Sequence, residues 1–418
     1  MLTVFHTADW HLGQTFHGFD RDLEHAAFFD WLLRQLIAQR PDAMIVAGDI
    51  FDSINPSAAS LRRYYTFLAA AYAALPLLQI VITAGNHDAA ARLEAPAGVL
   101  DSLNVTVVGT VNRDENGNID FQKFLVPLRD DSGTIQAIVL AVPFLRPSDV
   151  PLIPEAADPY LDGVREFYRQ VAEAARAMKL AQCPDAALIA MGHCHLHGGE
   201  ESTDSERRLV IGGAEAIGPG TFASDIAYVA LGHLHKAQKF DGGRIRYCGS
   251  PIPLSFSEAG YTHRLHKLAF SNGGLHAVED VPVPRTVALM TIPAAGSELI
   301  DDLLPQLEQL TLDASLPPEQ HPFLEVRVLE NGPDPTRRKR IEQALDGKPV
   351  RLARIKPESS SKKSTSDDVH APIDVIDLKT ISPEEILLSA HREKYGTEAS
   401  ESLLKAFREI LLQENHDS

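Results

Sequence analysis

Five short motifs carry the residues of this sequence best suited to metal chemistry: Asp9-Trp10-His11, Gly48-Asp49, Gly85-Asn86-His87-Asp88, Gly192-His193 and Gly232-His233-Leu234-His235. Asp9, His11, Asp49, Asn86, His193, His233 and His235 together offer two carboxylates, one amide oxygen and four imidazoles, with no thiolate. Such a set suits Mn²⁺, Fe²⁺ or Zn²⁺ with positions left open for water, and fits soft copper poorly. A carboxylate such as Asp49 can bridge two ions about 3.5–4 Å apart, the separation at which paired metals clamp the attacking and leaving oxygens of a phosphoester. His87, beside Asn86, falls at the rim, where it can stabilise the transition state or protonate the leaving oxygen as a general acid. Asp88 is expected to orient the His87 imidazole by hydrogen bonding, as carboxylates behind functional histidines commonly do.

Any one of these motifs is weak, because a lone histidine at a strand end is usually structural. Five in order are specific. In the run Gly192-His193-Cys194-His195-Leu196-His197, the paired cysteines of a structural zinc site are missing. His193 is favoured as the ligand because it follows glycine directly after an apolar strand, as His233 does; His195 and His197 fall in the loop and stand as its alternatives.

The elements that must position these residues are legible as apolar runs. LTVFHTAD, AMIVAGD, LQIVITAGNHD, IQAIVLAVP, AALIAMGH and IAYVALGH each read as a buried strand, and five of the six end in metal-type ligands. In open α/β sheets, ligands bind beyond the carboxyl ends of the strands. Glycines at those ends permit the close backbone approach that a shared pocket requires. Residues 21–40, 57–74 and 160–180 have helical periodicity, the second opening at Pro56-Ser57. An α/β layered core is expected.

From about 285 the pattern changes to RTVALMTIP, SELIDDLLPQLEQL, FLEVRVL, PTRRKRIEQAL and PVRLARI, alternately strand-like and helical. This predicts an α+β capping domain over 281–355 after a catalytic domain over 1–280. Residues 356–371, Ser- and Lys-rich without periodicity, read as a flexible linker. Residues 372–418 carry two short amphipathic helices that need a surface to pack on, and a partner is the expected one. The basic run Arg337-Arg338-Lys339-Arg340 reads as a solvated helix face ahead of a DNA contact. Tyr64 and Tyr65, beside Arg62 and Arg63, read as core or interface aromatics.

Composition sets bounds. Over 418 residues the formal charge is −18, which counts against phosphate-rich partners unless bound metals reverse the sign locally. Three cysteines, Cys183, Cys194 and Cys248, have no CxxC spacing, so a disulfide framework is not indicated and a reducing cytoplasm fits. No stretch is apolar and long enough to span a bilayer. No GxxxxGK[ST] loop occurs, so any ATP must be handled by another chain.

DWH, GDIFD, GNHD, GH and GHLH, in this order, resemble the calcineurin-like metallophosphoesterases. The longer GHLHKAQKFDGGRIRYCGSPIPLSFSE resembles, more narrowly, the bacterial SbcD family of exonuclease subunits. The resemblance covers residues 1 to about 270 and continues more weakly beyond. It implies a core of two β-sheets flanked by helices, followed by the small α+β capping domain and a helical tail. It implies one ion on Asp9, His11, Asp49 and His235, a second on Asp49, Asn86, His193 and His233, and His87 as the catalytic histidine. It further implies Mn²⁺-dependent cleavage of DNA, as a double-strand 3′-5′ exonuclease and single-strand endonuclease in recombination, replication and repair. The implied assembly is a homodimer within a heterotetramer containing an SMC-like ATPase, SbcC. Some members of the broader family place a second active-site histidine where this chain has Asp52; here Asp52 is expected only to cap its turn.

Two other readings compete. A phosphatase or nucleotide phosphodiesterase would keep the metals and tolerate the negative charge, but has no need of the accessory domain and tail. A non-catalytic adaptor would have no need of the full ligand set and His87.

Overall fold

The computed structural model describes residues 1–359 apart from 154, 155, 157, 203, 207–215 and 333. The expected linker beyond 359 and the helices expected over 372–418 lie outside the described residues. The first half of the core runs β1 (Leu2–Thr7), the short hairpin β2 (Thr15–Phe16) and β3 (Phe19–Asp20), α1 (Asp22–Gln39), β4 (Ala43–Ala47) and α2 (Ala58–Ala74). It continues through β5 (Gln79–Thr83), α3 (Ala90–Glu94), α4 (Ala97–Leu100) and β6 (Val105–Val108). The second half comprises β7 (Leu125–Arg129), β8 (Ile135–Ala141), α5 (Pro159–Gln182), β9 (Ala187–His193), β10 (Tyr228–Gly232), β11 (Gln238–Phe240) and β12 (Ile245–Tyr247). A hairpin of β13 (Arg264–Ser271) and β14 (Gly274–Pro282) then returns to the first sheet.

Two six-stranded sheets result, in the orders β14-β13-β1-β4-β5-β6 and β11-β12-β10-β9-β8-β7. They pack face to face because the central strands alternate between two apolar surroundings. Along β4, Ala43, Ile45 and Ala47 join the core shared with β8, β9 and β10, whereas Met44 and Val46 face the core made with α1 and α2. All five residues are buried, as a strand covered on both faces requires, which is why the sequence reads as a continuous apolar run. The helices start where local chemistry allows: Ser57 accepts a hydrogen bond from the Ser60 amide at the head of α2, and Asp158 accepts from Tyr160 and Leu161 before Pro159 opens α5.

The parallel pairings β1·β4, β4·β5 and β9·β10 bring the carboxyl ends of five strands together at one edge. Beyond them β15 (Leu289–Ile292), α6 (Ile300–Glu308), β16 (Phe323–Glu330), α7 (Arg337–Ala344) and β17 (Arg351–Ser359) form a three-stranded parallel sheet with two helices and their own apolar core. β17 runs four residues past the boundary expected at 355, because Lys356 to Ser359 continue the ladder with β16. Met1–Ser360 makes one compact unit. The joint is aromatic: Phe16 of the β2/β3 hairpin, Phe256, Val287 and Phe323 pack together, with the buried Arg21 guanidinium 4.9 Å from the Phe16 ring. On α7, Arg337, Arg338 and Arg340 pair with Glu330, Glu342 and Asp301, contacts that suit a solvated face. Tyr64 is buried in the core against Phe51, while Tyr65 is partly exposed.

Candidate metal centre

The residues after β1 and β4 leave their strands as a pair. Asp9 N donates to Gly48 O at 3.1 Å, His11 N to Asp49 O at 3.0 Å and Leu12 N to Ile50 O at 3.0 Å. To follow this path Asp9, His11 and Asp49 take positive φ of 54°, 45° and 48°, and His233 takes 101°. Left-handed backbone at non-glycine residues costs of order 1–3 kcal/mol each and gathers at functional sites. Gly48, at φ 83°, also has no space for a side chain, since a Cβ would lie 2.3 Å from His193 Nδ1. At Gly85 a Cβ would come within 2.1 Å of Asp49 Oδ1.

The seven expected ligands converge. Ligand atoms of Asp9, Asp49 and His193 lie within 4.8 Å of one another, and so do those of His11, Asp49 and His87. Asp49 is common to both groups. Asn86 Oδ1 is 2.9 Å from His193 Nε2 and 3.2 Å from His233 Nδ1. The His235 ring lies 5.1 Å from that of His11. His193 ends β9 and is buried, whereas His195 turns to Glu201 at 3.1 Å and His197 is exposed, so the strand end brings only the first of the three to Asp49.

A divalent ion fits this donor set. Among the described residues, Asp9 Oδ2 and His11 Nε2 are buried and find no hydrogen-bond partner, an arrangement that is costly unless something else occupies the space. His193 faces acceptors at both ring nitrogens, Ala47 O at 2.9 Å from Nδ1 and Asn86 Oδ1 and Asp49 Oδ2 near Nε2. Two acceptors favour a doubly protonated ring. Although burial opposes it, Asp49 raises His193 to a pKa of about 9. His235 is raised to about 9 in the same way, against burial, by Glu258. Burial pushes Asp9 up to about 7, while Asp49, despite burial, is held well below the usual carboxylate range by His193. Protons on His193 and His235 thus balance the carboxylates where an ion would do so.

The supporting contacts include residues that the sequence reading placed wrongly or missed. Asp88 does not orient His87. Its carboxylate is fully buried and accepts from the amides of Gly85 at 2.8 Å, Ile50 at 3.1 Å and Phe51 at 3.0 Å, which ties the loops after β4 and β5 together. Asp52 does more than cap a turn: its carboxylate meets His11 Nδ1 at 3.1 Å, and its carbonyl accepts from His87 Nδ1 at 2.9 Å. Glu258 meets His235 Nδ1 at 3.0 Å from a fully buried position, completing a carboxylate-histidine pair aimed at the centre. It closes the string GSPIPLSFSE, where the signal was present but unassigned. Trp10 anchors the first turn among Phe28, Phe29 and Phe67, and its carbonyl is held by His25 Nε2 at 3.1 Å. Burial and Arg21 pull the His25 pKa down to about 3, so the ring is neutral.

The centre opens into a cleft of about 430 Å³ lined by His11, His87, Asp52, His235, Glu206 and Arg354 among others. A two-sheet core whose strand ends gather carboxylate, amide and imidazole donors around a shared Asp49 defines a metal-dependent phosphoesterase. Residues 2–237 match the calcineurin-like phosphoesterase family, and residues 285–395 match a family described as the type 5 capsule protein repressor C-terminal domain. The SbcD component of the nuclease SbcCD from Rhodobacter capsulatus is 41% identical over 390 residues, covering 93% of this chain and 94% of its own. The protein of the same name from Escherichia coli K12 is 37% identical over 296 residues, covering 68% and 69%. That of Bacillus subtilis 168 is 33% identical over 264 residues, covering 62% and 64%. The chain belongs to the calcineurin-like phosphoesterases and, within them, to the SbcD nuclease subunits. It is a phosphodiester hydrolase of a family that binds divalent metal. Among the described residues no helix is long and apolar enough to cross a membrane.

Proposed function

We propose that the protein is a Mn²⁺-dependent DNA nuclease, degrading duplex ends as a 3′-5′ exonuclease and cutting single strands internally. The observation that carries this reading is Asp49 at the junction of two donor groups, with His87, a member of one of them, lining the cleft. Two divalent ions, one on Asp9, His11, Asp49 and His235 and one on Asp49, Asn86, His193 and His233, supply phosphoryl polarisation and water activation when bound. Asp52 and Glu258 fix the His11 and His235 rings from behind, so these ligands are oriented before substrate arrives. His87 donates Nδ1–H to the Asp52 carbonyl, which fixes the orientation of the ring, and as the general acid of this reading it delivers a proton to the departing 3′ or 5′ oxygen. Asp88 acts only through the backbone of the two loops.

In this reading the chain works in the cytoplasm, in recombination, replication and repair, as a homodimer within a heterotetramer. The SMC-like ATPase of that assembly, the SbcC of its relatives' complex name, governs access to duplex ends, and residues 372–418 dock on it. His87→Gln is expected to lower turnover of a single-stranded oligonucleotide by roughly 10²–10⁴-fold with two Mn²⁺ still bound. Loss of metal together with turnover would move His87 into the ligand set. Rapid hydrolysis of a small phosphodiester by the wild type, with no cleavage of DNA even alongside the ATPase, would favour a nucleotide phosphodiesterase instead.

A further inference from the structure

The cleft around the metal centre is acidic apart from its histidines: Asp52, Asp204 and Glu206 line it, and Arg354 is the one Lys or Arg among the described lining residues. Arg354 does not come from the two-sheet core. It sits on β17, opposite Glu325 in the parallel ladder with β16, and reaches the cleft from the third sheet. Its Nη1 meets Asp204 Oδ2 at 3.0 Å. Its Nε is 3.6 Å from the buried Glu325 Oε2, too far for a hydrogen bond, and Glu325 Oε1 is already taken by Arg327 Nε at 2.7 Å. Among the described residues, the guanidinium therefore leaves most of its five donors without a hydrogen-bond partner.

Building on the nuclease reading, we propose that Arg354 is a substrate-phosphate-binding residue, held by Asp204 while the cleft is empty and passed to a DNA phosphate beside the scissile one. Three observations carry this. A polyanion entering between Asp52, Asp204 and Glu206 needs a fixed cation beyond the one phosphate that the metal centre serves. A planar fork suits phosphate, to which it can make two parallel bonds. The present partnership is cheap to exchange, because Arg354 and Asp204 side chains are 27% and 29% exposed, and pairs open to solvent contribute little. The ladder with β16 keeps the backbone of Arg354 in place while its head changes partner.

The test compares full-length wild type, Arg354→Gln, Arg354→Lys and Asp204→Asn in Mn²⁺ on a single-stranded oligonucleotide and on bis(4-nitrophenyl) phosphate, which has no second phosphate. Arg354→Gln should raise KM for the oligonucleotide roughly ten-fold, keep kcat within about two-fold, and reduce the salt dependence of binding by about one phosphate contact. Hydrolysis of the small diester should stay within about two-fold of wild type, and Arg354→Lys should recover part of the KM. Asp204→Asn, which removes the competing carboxylate, should lower KM for the oligonucleotide. An unchanged KM and salt slope in Arg354→Gln would overturn the proposal. So would parallel losses by Arg354→Gln and Asp204→Asn on both substrates together with a lowered Tm, the mark of a structural clamp. A wild type that hydrolyses the diester but not the oligonucleotide would instead sink the nuclease reading, and this proposal with it.

Discussion

Each ring or carboxylate at the centre is positioned by a partner distant in sequence. Glu258 holds His235 through Nδ1, and substituting such a partner typically lowers metal affinity 10–100-fold. Glu258→Gln keeps the size but weakens the acceptor, so Mn²⁺ affinity measured by titration calorimetry should fall by roughly ten-fold or more; an unchanged affinity would show that the His235 ring needs no such support. The protons on His193 and His235 lead to a second expectation. Both have pKa values of about 9 without metal, so both are charged at pH 7, and an ion binding to either must displace a proton. Metal binding at pH 7 should therefore release between two and three protons, about one from each histidine and a fraction from Asp9, whose pKa of about 7 leaves it partly protonated, and apparent affinity should rise with pH until about 9. Calorimetry in buffers of different ionisation enthalpy reads the proton count; release of none would contradict the ligand roles of these histidines.

That these seven side chains would gather at one edge was legible because glycine, an apolar strand and a donor residue repeat in a fixed local order. What was not legible is who stands behind them. Asp88 is adjacent to His87 in sequence, and adjacency suggested a contact; its carboxylate instead turns to amides 37 and 38 residues away. Asp52 has the opposite history, a turn residue by sequence that serves both His11 and His87 once β1 and β4 lie side by side.

The elements were easier to anticipate than their ends. Strands buried on both faces leave an uninterrupted apolar signature, and α1, α2 and α5 have caps or periodicity of their own. The extension of β17 to Ser359 was hidden because Lys, Pro, Glu and Ser read as linker, while an existing partner strand is enough to hold them in register. The turn between β1 and the β2/β3 hairpin depends on helices: Trp10 lies edge-on to Phe29 at 5.0 Å, and Phe29 stacks on Phe67 at 4.5 Å, so α1 and α2 grip the peptide between Asp9 and His11. Trp10→Ala should destabilise the protein by about 3–5 kcal/mol in urea denaturation and weaken Mn²⁺ binding with it. A loss below about 1 kcal/mol, within the range of ordinary surface substitutions, would mean that the turn holds its left-handed backbone without this anchor.

Across the molecule, three sheets serve one edge. The first sheet supplies Asp9, His11, Asp49, Asn86 and His87, the second supplies His193, His233 and His235, and the third reaches the cleft through Arg354. Phe16, Phe256 and Phe323 join the hairpin, the loop that carries Glu258 and the third sheet, with the Arg351 guanidinium 3.7 Å from the Phe323 ring centroid. The composition pattern near 285 marked a change of architecture and gave no sign of this joint, because its aromatics come from three separate stretches of chain. Whether the seven strand-end residues hold two ions bridged by Asp49 is tested most directly by anomalous diffraction from crystals soaked in Mn²⁺. Two peaks are expected, about 3.5–4 Å apart, with Asp49 between them and His193, not His195, on one of them. A single peak, or a second one at His195 and Glu201, would contradict the two-ion centre.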